Sequence, residues 1–397
     1  MVLLSKKITE LEESATLAMA RKARELKEKG WKIINLSLGE PDFNTPEFIK
    51  NAAKQAIDQN FSKYTPVPGY KDLLNIISNK FERDNNLTYH ENQIVCSTGA
   101  KQSIAQLLMV LLNENEEVIL PAPYWVSYYQ MIKLAEGKPK VIQTNIETDF
   151  KISPQQLEES ITPKTKAFLF SSPCNPTGSV YSKNELHDLA NVFQKYPEVI
   201  IISDEIYEHI NFTQNHFSIG SIKKIKNQVV TINGLSKGYA MTGWRFGYLG
   251  APVEIAKACV KMQGQITSAT CSITQRAAVT ALSEHPKCTH EMRNEFKKRR
   301  DLMIELLSEI EGLKVNKPQG AFYIFPNIKK YIGRSYKNYQ INSANDLALF
   351  LLEDCGVSTV SGDAFGANEY IRISYAVSET DLKKACDLIK HSLKKLA

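Results

Sequence analysis

The chain reads as an α/β protein, a mostly parallel sheet sandwiched by helices, with a smaller α+β domain beside it. Three observations carry that expectation. Short β-branched runs alternate with amphipathic stretches through the middle of the chain. The runs are apolar throughout, and they end at glycine, proline or polar residues that open the next segment. Continuous apolar runs mark strands buried on both faces, as in a parallel sheet covered by helices.

Each element follows in order. QIVCSTG (93–99) gives way to the helical spacing of AKQSIAQLLMVLL, and EEVILPAP (116–123) is strand, then turn. TKAFLFSSPCNPTG (165–178) is strand, then a proline-rich loop, before the helix-like KNELHDLANVFQKY. EVIIISDEIY (198–207) and QVVTINGLSK (228–237) repeat the scheme, and RFGYLGAP (245–252) adds a strand. The ends differ. A helical pattern over 10–30 closes at Gly30, before strand-like IINLSLG and the turn EPDFNTP. From about residue 285 come a charged helix (290–311), GLKVN, GAFYIFP, another helix, the alternating strand YIRISYA and a final amphipathic helix. The expectation is a large α/β domain over 46–284 and a small α+β domain built from 1–45 and 285–397.

Composition narrows the function. With 397 residues, 43% hydrophobic and 23% charged, the chain is an ordinary globular protein and not a disordered one. The balance of 49 Lys+Arg against 43 Asp+Glu is spread out. KKIK (223–226) and KKRR (297–300) suit solvated helix faces better than a nucleic-acid patch. No apolar run approaches the ~18 residues of a membrane helix. The start, MVLLSKK, lacks a secretory pattern, so a cytoplasmic protein is expected. The seven cysteines stand singly, which argues against a disulfide framework or zinc site. His285, Cys288 and His290 come nearest to a metal cluster but lack further ligands, and no metal is expected.

Ligands of such sheets bind beyond the carboxyl ends of the strands. The polar residues at those ends are Ser97-Thr98-Gly99-Ala100-Lys101 opening a helix, Trp125, Asn175, Asp204 and Tyr207, Lys237 and Arg245. Amides at a helix N-terminus favour an anion. The chain has no Walker-type phosphate loop and no GxGxxG, which weakens nucleotide readings. Singly, each residue has a plain alternative: a surface lysine at 237, a helix cap at 204, a turn former at 175, a structural ion pair at 245. Together, an anion cradle, a flat aromatic, a carboxylate, a phenol and a lysine suit a phosphorylated heteroaromatic aldehyde, pyridoxal 5′-phosphate.

SLGEPDF, YTPVPGY, PAPYWVSY, NPTG, SDEIYEH, SKGYAMTGWRFGY and GAFYIFP occur in order across more than three hundred residues. Through them the chain resembles the aspartate aminotransferase family of fold type I pyridoxal-phosphate enzymes (class I aminotransferases), and within it a bacterial subgroup. The resemblance implies Lys237 as the Schiff-base lysine and proton shuttle, and Asp204 as the partner of the ring nitrogen. It implies Asn175 and Tyr207 at the ring oxygen, Trp125 stacked on the ring, and Arg245 with the amides of Gly99, Ala100 and Lys101 on the phosphate. Tyr64 matches a tyrosine that reaches the phosphate from a neighbouring subunit, implying a homodimer with shared sites. Arg372 matches the arginine that grips the substrate α-carboxylate, helped by Gly39 and Asn175; its plain alternative is a strand arginine facing solvent. The family also has cis bonds before prolines matching Pro123 and Pro176.

For the distal carboxylate, the subgroup uses the lysine matching Lys101, and Trp125 completes the substrate side. L-Aspartate and 2-oxoglutarate are therefore the leading substrates, with breadth expected. Alternatives are transamination of aromatic, sulfur or other neutral amino acids, a β-lyase on the same cofactor, or a non-enzymatic regulator. Three departures matter. Gly234 stands where many relatives have a phosphate-binding serine. Cys174 stands where serine or histidine is common, and is read as a buried neutral thiol. Glu12 stands where prephenate-accepting members carry lysine, which argues against prephenate.

Overall fold

The computed structural model describes residues 3–213, 216–283 and 287–397. The grouping of His285 with Cys288 and His290 thus rests on a residue, His285, outside the described ones. Seven strands form the main sheet: β1 Ile94–Ser97, β2 Glu117–Ala122, β3 Lys138–Gln143, β4 Thr165–Ser171, β5 Ile200–Asp204, β6 Val229–Gly234 and β7 Gly247–Gly250. Their spatial order is β1-β7-β6-β5-β4-β2-β3. All neighbours are parallel except β7, which runs against both β1 and β6.

The apolar runs fold this way because both faces are covered. Val118 and Leu120 of β2 enter one core with Ile104, Leu107 and Leu108. Ile119 between them enters another, with Phe168, Leu186 and Phe193. That is the two-residue alternation of a strand, with each fully buried Ile or Leu stabilising by roughly 1.5–3 kcal/mol. Strand β3 has no counterpart in the sequence reading. It is the sheet's edge, half exposed and carrying Pro139 and two lysines, so it lacks the apolar signature.

The reversal of β7 shapes the site. Gly247 lies opposite both Ser97 and Gly234, so the start of β7 shares an edge with the ends of β1 and β6. Arg245, just before β7, thereby joins residues that follow the parallel strands. The connection from Gly234 to Gly247 also carries Lys237.

Beyond the main sheet, helices Lys287–Ser308, Ala344–Cys355 and Glu379–Leu393 pack with a three-stranded antiparallel sheet of Val360–Ser361, Ile371–Ser374 and Tyr323–Ile324. Ile34–Asn35 pairs in parallel with Val357–Ser358, and Leu36 shares a core with Met292, Phe296 and Ile371. Tyr207 and Ile210, from the segment after β5, reach the same core. The helix expected over 10–30 is shorter, Ala15–Glu28, and of IINLSLG only two residues pair as strand. The bonds before Pro123 and Pro176 are cis, as expected, and so is that before Pro173.

Candidate active site

A cavity of about 340 Å³ opens at the carboxyl edge of the sheet. Gly39, Ala100, Lys101, Trp125, Asn175, Asp204, Tyr207, Lys237, Arg245 and Arg372 all line it. Gly99 sits just behind, and Tyr64 lies away from it, 97% exposed. Ten of the twelve residues singled out by sequence thus share one space.

Its floor is built by strand ends. Asp204 closes β5 and is buried. Its Oδ2 accepts from the Tyr128 hydroxyl at 2.5 Å and its Oδ1 from the Ile206 N–H at 3.1 Å. Burial pushes its pKa up to about 6, against those two donors. Lys237 donates to the Gly39 carbonyl, and its ammonium lies 5.9 Å from the ring centres of Tyr207 and Phe322. Burial brings its pKa down to about 8; Glu40 opposes, while Arg372 and Arg245 assist. Tyr207 shares a 2.8 Å hydrogen bond with Tyr323, and burial holds its phenol well above the ordinary range. Next to Lys237, Gly238 leaves room for His209, whose ring a Cβ would meet at 2.7 Å.

The anion cradle is equally specific. Gly99, at φ +83°, precedes helix Ala100–Leu111, and its missing side chain makes room for the Arg245 guanidinium. Gly247 lies so close that a Cβ would stand 2.8 Å from Ala100 Cα. Arg245 donates to the Thr242 carbonyl at 2.9 Å. Gly234 has no room for a serine, since a Cβ would be 2.7 Å from the Phe246 carbonyl oxygen. Ser236 lines the cavity in its stead. Lys101 stands 4.9 Å over Trp125, and burial followed by Arg245 lowers its pKa.

Arg372 is 1% exposed, so the solvent-facing alternative does not hold. It donates to Asn175 Oδ1 at 2.9 Å and to the Ser37 carbonyl at 2.6 Å, while its Nε is buried without a partner. Its guanidinium lies 4.5 Å from the Tyr323 ring centre. Cys174 is a thiol raised by burial, donating to the Pro123 carbonyl at 3.7 Å, in keeping with an inert group.

Sequence reasoning missed Tyr128, Tyr323, Glu40 and the N-terminal Ser14, Thr16 and Leu17, all lining the cavity. Tyr128 had a usable signal, three residues after Trp125 on the same helix face. Tyr323 lies in GAFYIFP and Glu40 in SLGEPDF, motifs noted without those residues.

The lining fits pyridoxal 5′-phosphate. Four cations (Lys101, Lys237, Arg245 and Arg372) face two acids, Glu40 and Asp204, which suits an anionic guest. The glycine cradle at a helix N-terminus has the form that would take a phosphate against backbone amides. Asp204 is a buried carboxyl whose hydrogen-bond donors are neutral, and a cationic ring nitrogen would complete it.

Residues 32–389 match the family "Aminotransferase class I and II". The chain is 44% identical to the aspartate/prephenate aminotransferase of Cereibacter sphaeroides over 98% of both chains. It is 45% identical to a probable aspartate/prephenate aminotransferase of Rickettsia bellii, over 97% of this chain and 98% of that one. Among solved structures, the aspartate aminotransferase of Rhizobium meliloti superposes with a TM-score of 0.96 at 38% identity over the full length of both chains. That of Thermus thermophilus with maleate gives 0.92 at 36%, over 99% of this chain and 100% of that one. A parallel-sheet core, a lysine and a buried acid in one cavity, and a match over nearly the whole length lead to one conclusion: the chain belongs to the class I and II aminotransferases and is a pyridoxal-phosphate-dependent enzyme.

Proposed function

We propose that the chain transfers the amino group of L-aspartate to 2-oxoglutarate, yielding oxaloacetate and L-glutamate. The observation that carries this reading is the presence of buried Arg372 and of Lys101 in one cavity with Lys237. A planar guanidinium offers two parallel bonds to an α-carboxylate, and a lysine attracts a second carboxylate as a point charge while tolerating neutral side chains. Relatives named for aspartate, at 43–45% identity, support the choice.

When bound, the cofactor supplies an electron sink for the pair left at the substrate α-carbon. Asp204 would hold the proton on the ring nitrogen. Lys237, with its pKa brought down to about 8, would take the proton from the α-carbon and return it at the cofactor carbon. Tyr207 and Asn175 would orient the ring, Trp125 would cover it, and Arg245 with the amides of Gly99, Ala100 and Lys101 would hold the phosphate. Gly39 and Arg372 would seat the substrate. Residues 46–284 would carry the cofactor, and 1–45 with 285–397 would close over the substrate.

We infer a homodimer with shared sites: Tyr64 stands fully out from its own cavity, available to the phosphate site of a second copy. All seven cysteines are free thiols, which suits a reducing compartment, and a cytoplasmic location is proposed on that ground. Relatives named for prephenate as well raise a second acceptor. Here Glu12 lines an adjoining cavity with Lys101. An acid in that adjoining cavity repels a carboxylate that reaches past Lys101, which weighs against the bulkier prephenate.

One experiment tests this. L-Aspartate added alone to the holoenzyme should bleach the cofactor's visible absorption, and 2-oxoglutarate should restore it. Prephenate should restore it more slowly, by on the order of ten-fold. Conversion of L-aspartate to L-alanine and carbon dioxide instead, or no spectral change, would overturn the reading.

A further inference from the structure

The loop from Thr65 to Tyr70 is held from inside the protein. Gln275, in helix Ser272–Ser283, is 0% exposed. Its Oε1 accepts from the Tyr70 N–H at 2.9 Å, and its Nε2 donates to Thr65 Oγ1 and the Thr270 carbonyl, both at 2.9 Å. Gln263, in helix Val253–Ile266 and equally buried, donates to the carbonyls of Val67 and Cys96, both at 2.9 Å. The Cys96 N–H donates to the Pro68 carbonyl at 2.9 Å. The loop is thereby laced to β1, the strand that runs into the anion cradle at Gly99. Arg276 covers the far end, 4.0 Å over the Tyr70 ring and paired with Asp72 through two bonds of 2.7 Å.

A buried amide is a poor way to fill space in a helix packed against a core; leucine fills a similar volume without polar atoms to satisfy. Of Gln275's three bonds, two fall on this loop, including the residue next to Tyr64. Tyr64 itself touches nothing of the chain's own cavity. We propose that Gln275 is a positioning residue: it fixes the Thr65–Tyr70 backbone so that the Tyr64 hydroxyl meets the cofactor phosphate in a second copy of the chain. The proposal rests on the shared-site homodimer inferred above, and Gln263 anchors the middle of the same loop.

The test is a double-mutant cycle read as the dissociation constant of pyridoxal 5′-phosphate, obtained by equilibrium dialysis of the dimeric holoenzyme. Tyr64→Phe should weaken retention by on the order of ten-fold, the loss of one hydrogen bond to a charged group. Gln275→Leu should weaken it by about five-fold. The double variant should lose no more than Tyr64→Phe alone, because the loop then has no hydroxyl to aim. Additive losses, or no loss on Gln275→Leu, would overturn the positioning role and leave the shared site standing. An unchanged constant for Tyr64→Phe would overturn both. Should Gln275→Leu fail to fold, Thr65→Val removes the Gln275 bond nearest Tyr64, together with the exposed bond from the Thr65 hydroxyl to the Pro66 carbonyl. It runs through the same cycle, with a smaller loss that must vanish in the Tyr64→Phe background.

Discussion

Asp204 illustrates how one side chain can be unfavourable alone and useful with a guest. Burial raises its pKa to about 6, and the Tyr128 and Ile206 donors only moderate the shift. In the cofactor-free chain, protonation of this carboxyl therefore stabilises the fold in full below the ordinary carboxylate range. That contribution is lost as pH rises through about 6. A cationic ring nitrogen reverses the preference by favouring the carboxylate. The gain in melting temperature on adding cofactor should therefore be larger near pH 7.5 than near pH 5, and Asp204→Asn should flatten the difference. Thermal unfolding of both proteins, with and without cofactor, checks this; equal gains in the native protein would contradict it. At this scale Lys237, Asn175 and Asp204 were legible because they end or closely follow strands and lie in recognisable motifs. Tyr128 and Tyr323 were not. They act through a hydroxyl placed on another residue, Asp204 or Tyr207; the spacing of Tyr128 from Trp125 was a local signal, but the pairings themselves span 76 and 116 positions.

Among the elements, strand β7 shapes the proposed phosphate site. Its reversal puts Gly247 between the ends of β1 and β6, against the first turn of helix Ala100–Leu111. Gly247→Ala should push that helix start off the strand and lower the affinity for pyridoxal 5′-phosphate by at least about ten-fold, without unfolding the sheet. A cofactor titration with a far-ultraviolet spectrum checks it; native affinity would show that the cradle tolerates the shift. The buried strands were readable from their apolar runs. Edge strand β3 was not, because half of it faces water and it contains a proline. Gly234 read as a lost phosphate contact, whereas its backbone neighbours leave no space for a side chain at all.

For the molecule as a whole, the inferred sharing of sites has a direct test. Lys237→Ala should abolish turnover while leaving the fold intact, and Tyr64→Ala should weaken cofactor retention. In a hybrid of one Lys237→Ala chain with one Tyr64→Ala chain, one site carries both defects and the other neither. Mixed and reassociated variants should thus regain tight cofactor binding and turnover in part. Absence of recovery in a verified hybrid would place Tyr64 outside the partner's site. The overall architecture was legible because the alternation of runs and helices repeats along the chain. The meeting of the N-terminal Ile34–Leu36 segment with residues beyond 290 was foreshadowed only by the different character of the two ends.

Arg372 draws three distant stretches to one point: its own strand, the Ser37 carbonyl and the Asn175 amide. The Asn175 oxygen and the Ser37 carbonyl keep the guanidinium aimed and dry, while its Nε stays without a partner. In the proposed reaction an arriving carboxylate would then meet a cation already held in place instead of stripping water from a wandering one. Much of the entropic toll of recognition has been met while the protein folds.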